Sequence, residues 1–139
     1  MQNISNENLI ELIFEYEKKI HSKKYSYPIE REDVIYEYLN GECEFLVNIL
    51  YTHNNKKGKK IELKDEELLG GMYHYIYKCE EGYYYDINGK FLTIEDLIIK
   101  TELFEDFQNI EIKEIPYEEK HNRHLELYKK DLNLIYQFD

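Results

Sequence analysis

The spacing of the apolar residues changes along the chain, and this change constrains the fold more than any other feature. Between residues 6 and 20 apolar side chains recur every three or four positions, as on one face of a helix, and Ser5 precedes them as a helix cap. The same spacing predicts helices over residues 30 to 39 and 43 to 51, with Gly41 in the left-handed conformation that ends the second.

The middle of the chain changes to patterns that are typical of strands. Residues 72 to 79 and 83 to 87 are rich in Tyr and Ile and surround a Glu-Glu-Gly turn, which predicts a β-hairpin. A short strand is expected over residues 61 to 63, after a polar, lysine-rich stretch over residues 53 to 60 that is expected to be an exposed loop. Alternation of polar and apolar residues predicts a half-exposed strand over residues 109 to 115.

Two further segments have helical spacing. Thr93 is expected to cap a short helix that contains Leu97 and Ile98. Residues 118 to 138 form a moderately amphipathic pattern, which predicts a C-terminal helix. No internal repeat or linker divides the chain, and 139 residues are enough for one core, so we expect a single domain over residues 1 to 139.

The charge and the apolar segments restrict the partners. A net charge of -11 repels nucleic-acid phosphates and favours basic protein partners, although an acidic surface more often only keeps a small protein soluble. No apolar stretch is long enough to span a membrane, and the first 13 residues lack the basic residues of a signal peptide. We therefore expect a cytoplasmic protein with no direct contact to nucleic acid or membrane.

The cysteines and histidines give little support for a metal site. Cys43 and Cys79 are expected to be free thiols, because the expected compartment is reducing. Their separation from each other and from His74 lacks the paired short spacing of zinc ligands. His121 and His124 lie three residues apart, which suits either a metal site or two surface histidines. No metal or other cofactor is therefore predicted.

One ordered trio contains the parts of a nucleophilic site: Cys43 at the start of the third predicted helix, His74 on a predicted strand, and Asp86 on the next strand. A thiol, an imidazole and a carboxylate can act as nucleophile, proton shuttle and orienting group. If the hairpin loop has an odd number of residues, His74 and Asp86 share a face and sit opposite or diagonally adjacent. Asn88 has the same parity and is a candidate supporting residue.

Each member of the trio also has a purely structural interpretation. Cys43 could be a small buried apolar residue, since free cysteine is among the most buried residue types. His74 could be a core histidine with a satisfied hydrogen bond, and Asp86 could cap the turn at Asn88 and Gly89. The spacing alone leaves both interpretations open.

The segment Tyr-Leu-Asn-Gly-Glu-Cys-Glu-Phe-Leu-Val over residues 38 to 47, with His74 and residues 82 to 89, resembles a known superfamily. It is similar to small bacterial and phage proteins of the papain-like, transglutaminase-like cysteine hydrolase superfamily, in which Cys, His and Asp or Asn form a triad in this chain order. The resemblance covers roughly residues 36 to 98.

This resemblance implies an α+β fold in which N-terminal helices, including the Cys43 helix, pack on a small antiparallel sheet. It also implies a Cys43 nucleophile, a His74 base and acid, and an Asp86 that orients the imidazole. The backbone amide of Cys43 and the side-chain amide of Asn40 would bind the oxyanion. The implied reaction is thiol-dependent acyl transfer on a protein or peptide amide.

A second hypothesis is a binding protein that has the same fold but no catalytic activity. An acidic phage-type protein could bind and inhibit a host defence or nucleic-acid-binding protein through a basic surface of that partner. This hypothesis depends on the net charge and does not require a reactive thiol.

Overall fold

A computed structural model describes residues 4 to 66, 71 to 104 and 107 to 116. Within these residues the chain forms four α-helices and a five-stranded antiparallel sheet, so the predicted α+β class is confirmed. In chain order the elements are α1 (Asn6–Lys24), α2 (Arg31–Asn40), α3 (Cys43–His53), β1 (Lys59–Asp65), β2 (Met72–Lys78), β3 (Tyr84–Asp86), β4 (Gly89–Phe91), α4 (Ile94–Thr101) and β5 (Glu111–Ile115). The predicted C-terminal helix, with His121 and His124, lies outside the described residues. Among the described helices none has the length and apolar composition that crossing a bilayer requires.

Side-chain caps start two of the helices where the sequence placed them. Ser5 accepts a hydrogen bond from the N–H of Asn8 at 3.1 Å, and Thr93 accepts one from the N–H of Asp96 at 3.2 Å. These bonds satisfy amide groups that have no partner inside the helix. The first turns of α1 and α4 are therefore stabilised locally.

The end of α2 differs from the prediction. Gly41 follows the helix as expected. The prediction of a left-handed conformation is wrong, because its φ of 173° is extended backbone that any residue can adopt. The helix ends when the carbonyl of Glu37 accepts the N–H groups of both Gly41 and Glu42. A doubly accepting carbonyl closes the last turn without a left-handed residue.

The sheet has the strand order β4-β3-β2-β1-β5, and all neighbouring strands are antiparallel. The predicted hairpin joins β2 to β3, with Tyr77 opposite Tyr85 and Lys78 opposite Tyr84. Its connection over residues 79 to 83 has an odd number of residues, which sets the parity that places His74 and Asp86 on one face. Strand β4 is too short to show a period of its own, and the sequence did not predict it.

The sheet lies between two groups of packed side chains. Ile61 pairs with Ile76 on one face, and Tyr77 pairs with Tyr85 on the other, because successive strand residues point to opposite faces. Tyr77 and Tyr85 pack against the buried faces of α1, α2 and α3, whereas Ile61 and Ile76 pack against α4. Helix α3 also contacts β2, β1 and β3, as expected for the Cys-bearing helix. This packing brings the start of α3 to β2.

Candidate active site

Cys43 is the first residue of α3 and is 7% exposed. The residue before it, Glu42, makes no capping hydrogen bond through its side chain. The first-turn amide groups of α3 carry the partial positive charge of a helix N-terminus. The partial positive charge of this helix start lies next to the Cys43 side chain.

His74 and Asp86 form a buried pair on the sheet. Their side chains are 0% and 1% exposed, and Nε2 of His74 lies 3.1 Å from Oδ2 of Asp86. In the β2–β3 register Asp86 falls opposite Ile76, so it is one diagonal step from His74. The juxtaposition that the hairpin parity predicted is therefore confirmed.

The carboxylate of Asp86 is held from its other side. Oδ1 accepts a hydrogen bond of 2.8 Å from the backbone N–H of Asn88, in the turn between β3 and β4. This is the Asx-type contact by which an aspartate stabilises its own turn. Because each oxygen of Asp86 has a partner, the carboxylate is fixed both to its turn and to the imidazole.

The surroundings of His74 favour its protonated form. Burial acts to lower the pKa of His74, but the hydrogen bond to Asp86, the interaction with Cys43 and the charges of these two groups raise it to about 9. The Nδ1 atom is buried and makes no hydrogen bond of standard geometry within the described part of the chain. Since Nε2 is occupied by Asp86, Nδ1 is the nitrogen that remains for the thiol.

Asn40 and Asn88, the two predicted supporting residues, differ in their contacts. Asn40 is exposed at the end of α2, and its Nδ2 donates to the carbonyl of Tyr36 at 2.9 Å, so the structure does not direct its amide to the thiol. Asn88 supports the site through its backbone, which holds Asp86. Its side-chain Nδ2 is buried and makes no hydrogen bond to any residue that the structure describes.

Lys60 and Tyr75 lie beside the site but were not predicted from the sequence. Lys60 was assigned to an exposed loop, but it lies in β1, is 4% exposed, and places Nζ 2.6 Å from Oε1 of Glu44. Its ammonium group is 4.9 Å from the ring centroid of Tyr75. Burial raises the pKa of Tyr75 to about 12, with further contributions from Glu62, Glu44 and Cys43. These effects place Tyr75 in the electrostatic surroundings of the thiol.

The alternation of side chains between the two faces of β1 could have identified Lys60 as buried. In the observed register Lys60 faces the same side as Tyr77, a buried core residue. Knowledge of where β1 begins would have moved Lys60 from the loop to the sheet. The sequence placed that beginning two residues too late.

The second cysteine lies in the hydrophobic core. Both cysteines are unpaired and buried, and Cys79 packs in the core beside Tyr77 and Tyr85. Within residues 4 to 66, 71 to 104 and 107 to 116, no group of three His, Cys, Asp or Glu side chains is placed to hold a metal ion.

Comparison of the chain with protein families, with curated proteins and with solved structures found no match. The functional assignment therefore depends on the geometry of Cys43, His74 and Asp86.

Proposed function

We propose that this protein is a cysteine hydrolase or acyltransferase of the protease, amidase or deamidase type. Its substrate is a protein or peptide amide, and its compartment is the cytoplasm of a bacterium or a phage-infected cell. The observation that supports the proposal best is the buried contact of 3.1 Å between His74 and Asp86, with the helix-start thiol of Cys43 next to the imidazole. The three side chains supply the chemistry without a cofactor.

In the first half of the reaction, the thiolate of Cys43 attacks the carbonyl carbon of the amide. The new C–S bond displaces the π electrons onto the oxygen. His74 then donates the proton of Nδ1 to the leaving nitrogen as the C–N bond breaks, which leaves a thioester on Cys43 and a neutral imidazole. Asp86 holds the ring through Nε2 during both proton states.

In the second half, water attacks the thioester and gives its proton to Nδ1 of His74. The C–S bond breaks, the carboxylic acid leaves, and the thiolate and imidazolium are restored. An amine in place of water would give acyl transfer by the same steps. The oxyanion in both halves would accept a hydrogen bond from the N–H of Cys43, a helix-start amide that points away from the helix interior.

A second candidate function has its own observation. Cys43 is only 7% exposed, and the chain has a net charge of -11. Both facts suit a non-catalytic acidic protein that binds and inhibits a host defence or nucleic-acid-binding protein through a basic surface. In that case Cys43, His74 and Asp86 form a structural core.

The deciding experiment is the rate of iodoacetamide alkylation at Cys43 between pH 5 and 9. A Cys79→Ala background leaves one thiol to follow, and His74→Gln is compared with it. We expect alkylation at pH 6 to exceed that of a free thiol, and to fall by about tenfold or more in His74→Gln, because the imidazolium stabilises the thiolate. Circular dichroism of both variants controls for loss of the fold.

Slow alkylation that ignores His74 would contradict the enzyme proposal. The second candidate then predicts that the Cys43→Ala chain still captures a basic partner, and that salt weakens this binding strongly. Reactivity that depends on His74 would justify a search for peptide substrates.

A further inference from the structure

Lys60 is a buried cation beside the candidate site. Its side chain is 3% exposed, and its Nζ lies 2.6 Å from Oε1 of Glu44, whose side chain is 31% exposed. Lysine is almost never fully buried without a partner, because desolvation of its charge is costly. The pair therefore needs a structural or functional reason at this place in the fold.

Glu44 supplies that reason through its position. It follows Cys43 directly in the first turn of α3, where the helix dipole favours an anion. A carboxylate there also opposes a second negative charge on the neighbouring thiol. An uncompensated Glu44 would therefore work against the thiolate that the proposed reaction requires.

The charged and titratable groups at Cys43 and its neighbours His74, Tyr75 and Glu44 come from four elements. They are Glu44 on α3, His74 and Tyr75 on β2, Lys60 and Glu62 on β1, and Asp86 on β3. Asp86 is directed to His74, and Glu62 lies opposite Tyr75 in the β1–β2 register. Glu44 is directed to Lys60, so its charge is balanced from β1.

We propose that Lys60 is a positioning residue of the site. Its ammonium group neutralises Glu44 and ties the first turn of α3 to β1, which keeps Cys43 beside His74 in a form that can ionise. The inference rests on the proposed function, since it concerns how the same thiol is activated.

The test is a double-mutant cycle on the alkylation rate of Cys43 at pH 6, in the Cys79→Ala background. Lys60→Met should lower the rate about tenfold. The uncompensated charge of Glu44 would then disfavour the thiolate, and a change of about one pKa unit alters the thiolate fraction tenfold. The double variant Lys60→Met with Glu44→Gln should recover most of that loss, since neither charge remains. Lys60→Arg should stay close to the parent, because it keeps the cation.

Lys64→Met is the matched control. Lys64 lies on the same face of β1 and is paired with Glu66 at 2.5 Å, but its side chain is 24% exposed. Its removal should leave the alkylation rate unchanged. An equal loss in Lys64→Met and Lys60→Met would overturn the inference, because it would show a general charge effect.

Glu44→Gln alone keeps the test decisive if Lys60→Met does not fold. It leaves the Lys60 cation beside the first turn of α3 without an opposing carboxylate, so the rate at pH 6 should rise several-fold. An unchanged rate would refute the inference. The two proposals fail separately: loss of the His74 dependence removes the proposed function, whereas a Lys60→Met loss that Glu44→Gln does not recover removes only the role of Lys60.

Discussion

His74 and Asp86 stand one diagonal step apart on neighbouring strands, and both are closed off from solvent. The imidazole is surrounded by protein, yet its Nε2 atom reaches a carboxylate at 3.1 Å. A buried pair of this kind stabilises the protonated ring, so its effect on the fold depends on pH.

The stability of the protein should decrease as the pH rises from 6.5 to about 9. The pKa of His74 is raised from 6.5 to about 9 in the folded state, so the folded chain binds this proton more tightly than the unfolded chain. The resulting stabilisation is fully present below pH 6.5 and is lost as the pH rises through 9, on the order of 3 kcal/mol in total. Urea unfolding between pH 6 and 10 measures this change.

Two variants isolate the contribution of His74 to that pH dependence. His74→Gln should remove most of the decrease, whereas His53→Gln, which changes a half-buried histidine bound to the carbonyl of Ile4, should retain it. A decrease of the same size in His74→Gln would assign the proton to another group.

Substitution of Asp86 should reveal the two bonds of its carboxylate. Asp86→Ala leaves His74 and the N–H of Asn88 without their acceptor, and should cost about 3 to 5 kcal/mol of unfolding free energy. Asp86→Asn keeps the shape and one acceptor oxygen, so its cost should be smaller. In both variants the pKa of His74 should fall well below 9, because burial lowers it and the charge of Asp86 no longer raises it.

Urea unfolding and NMR titration of the His74 ring measure these effects of Asp86. A His74 pKa that stays near 9 in Asp86→Asn would show that another group holds the proton.

Gly58 should not tolerate a side chain. Its φ is +99°, and an added Cβ would overlap the hydroxyl and ring of Tyr77 and the carbonyl of Lys78. Tyr77 cannot move easily, because its hydroxyl donates to the carbonyl of Lys57 at 2.6 Å. Gly58→Ala should therefore cost about 2 to 4 kcal/mol, from backbone strain and overpacking together.

Gly41→Ala is the comparison for that variant. Gly41 has an extended φ of 173° and no neighbouring atom within 4 Å of the added carbon. The substitution should change the unfolding free energy by less than about 0.5 kcal/mol. Equal costs at Gly41 and Gly58 in urea unfolding would contradict the contact at Tyr77.

Arg31 should contribute more to stability than its ion-pair partner does. Its guanidinium donates to both oxygens of Glu11 at 3.0 and 2.8 Å, and it lies 3.8 Å from the ring centroid of Phe14. Glu11→Gln loses only an exposed ion pair, about 0.5 kcal/mol, whereas Arg31→Ala also uncovers Phe14 and should cost about 1 kcal/mol. Thermal unfolding at low and high salt separates these contributions, since salt should reduce the Glu11 effect more.

The parts of the fold that local signals determine could be predicted. Ser5 and Thr93 cap the helices that the sequence placed after them, and the tyrosine-rich segments form the expected hairpin. The contact between His74 and Asp86 followed from the parity of that hairpin, which is itself a local property.

The parts that depend on distant contacts could not be predicted. Lys60 lies in a polar run that is typical of a loop, and its burial depends on Glu44, sixteen residues away in the chain. The amide of Asn40 was expected near the thiol, but a carbonyl of its own helix accepts its hydrogen bond. Polar side chains have several available partners, and tertiary packing decides among them.

The three candidate site residues come from two parts of the chain, the start of α3 and the β2–β3 hairpin. His74 and Asp86 are twelve residues apart and come from one hairpin, whereas Cys43 reaches them only because α3 docks against β2. A shift of α3 on the sheet would move the Cys43 thiol away from His74, whereas the contact between His74 and Asp86 does not involve α3. The position of the thiol relative to the imidazole is therefore set by the packing of one helix on the sheet, whereas the contact between imidazole and carboxylate is set within the hairpin itself.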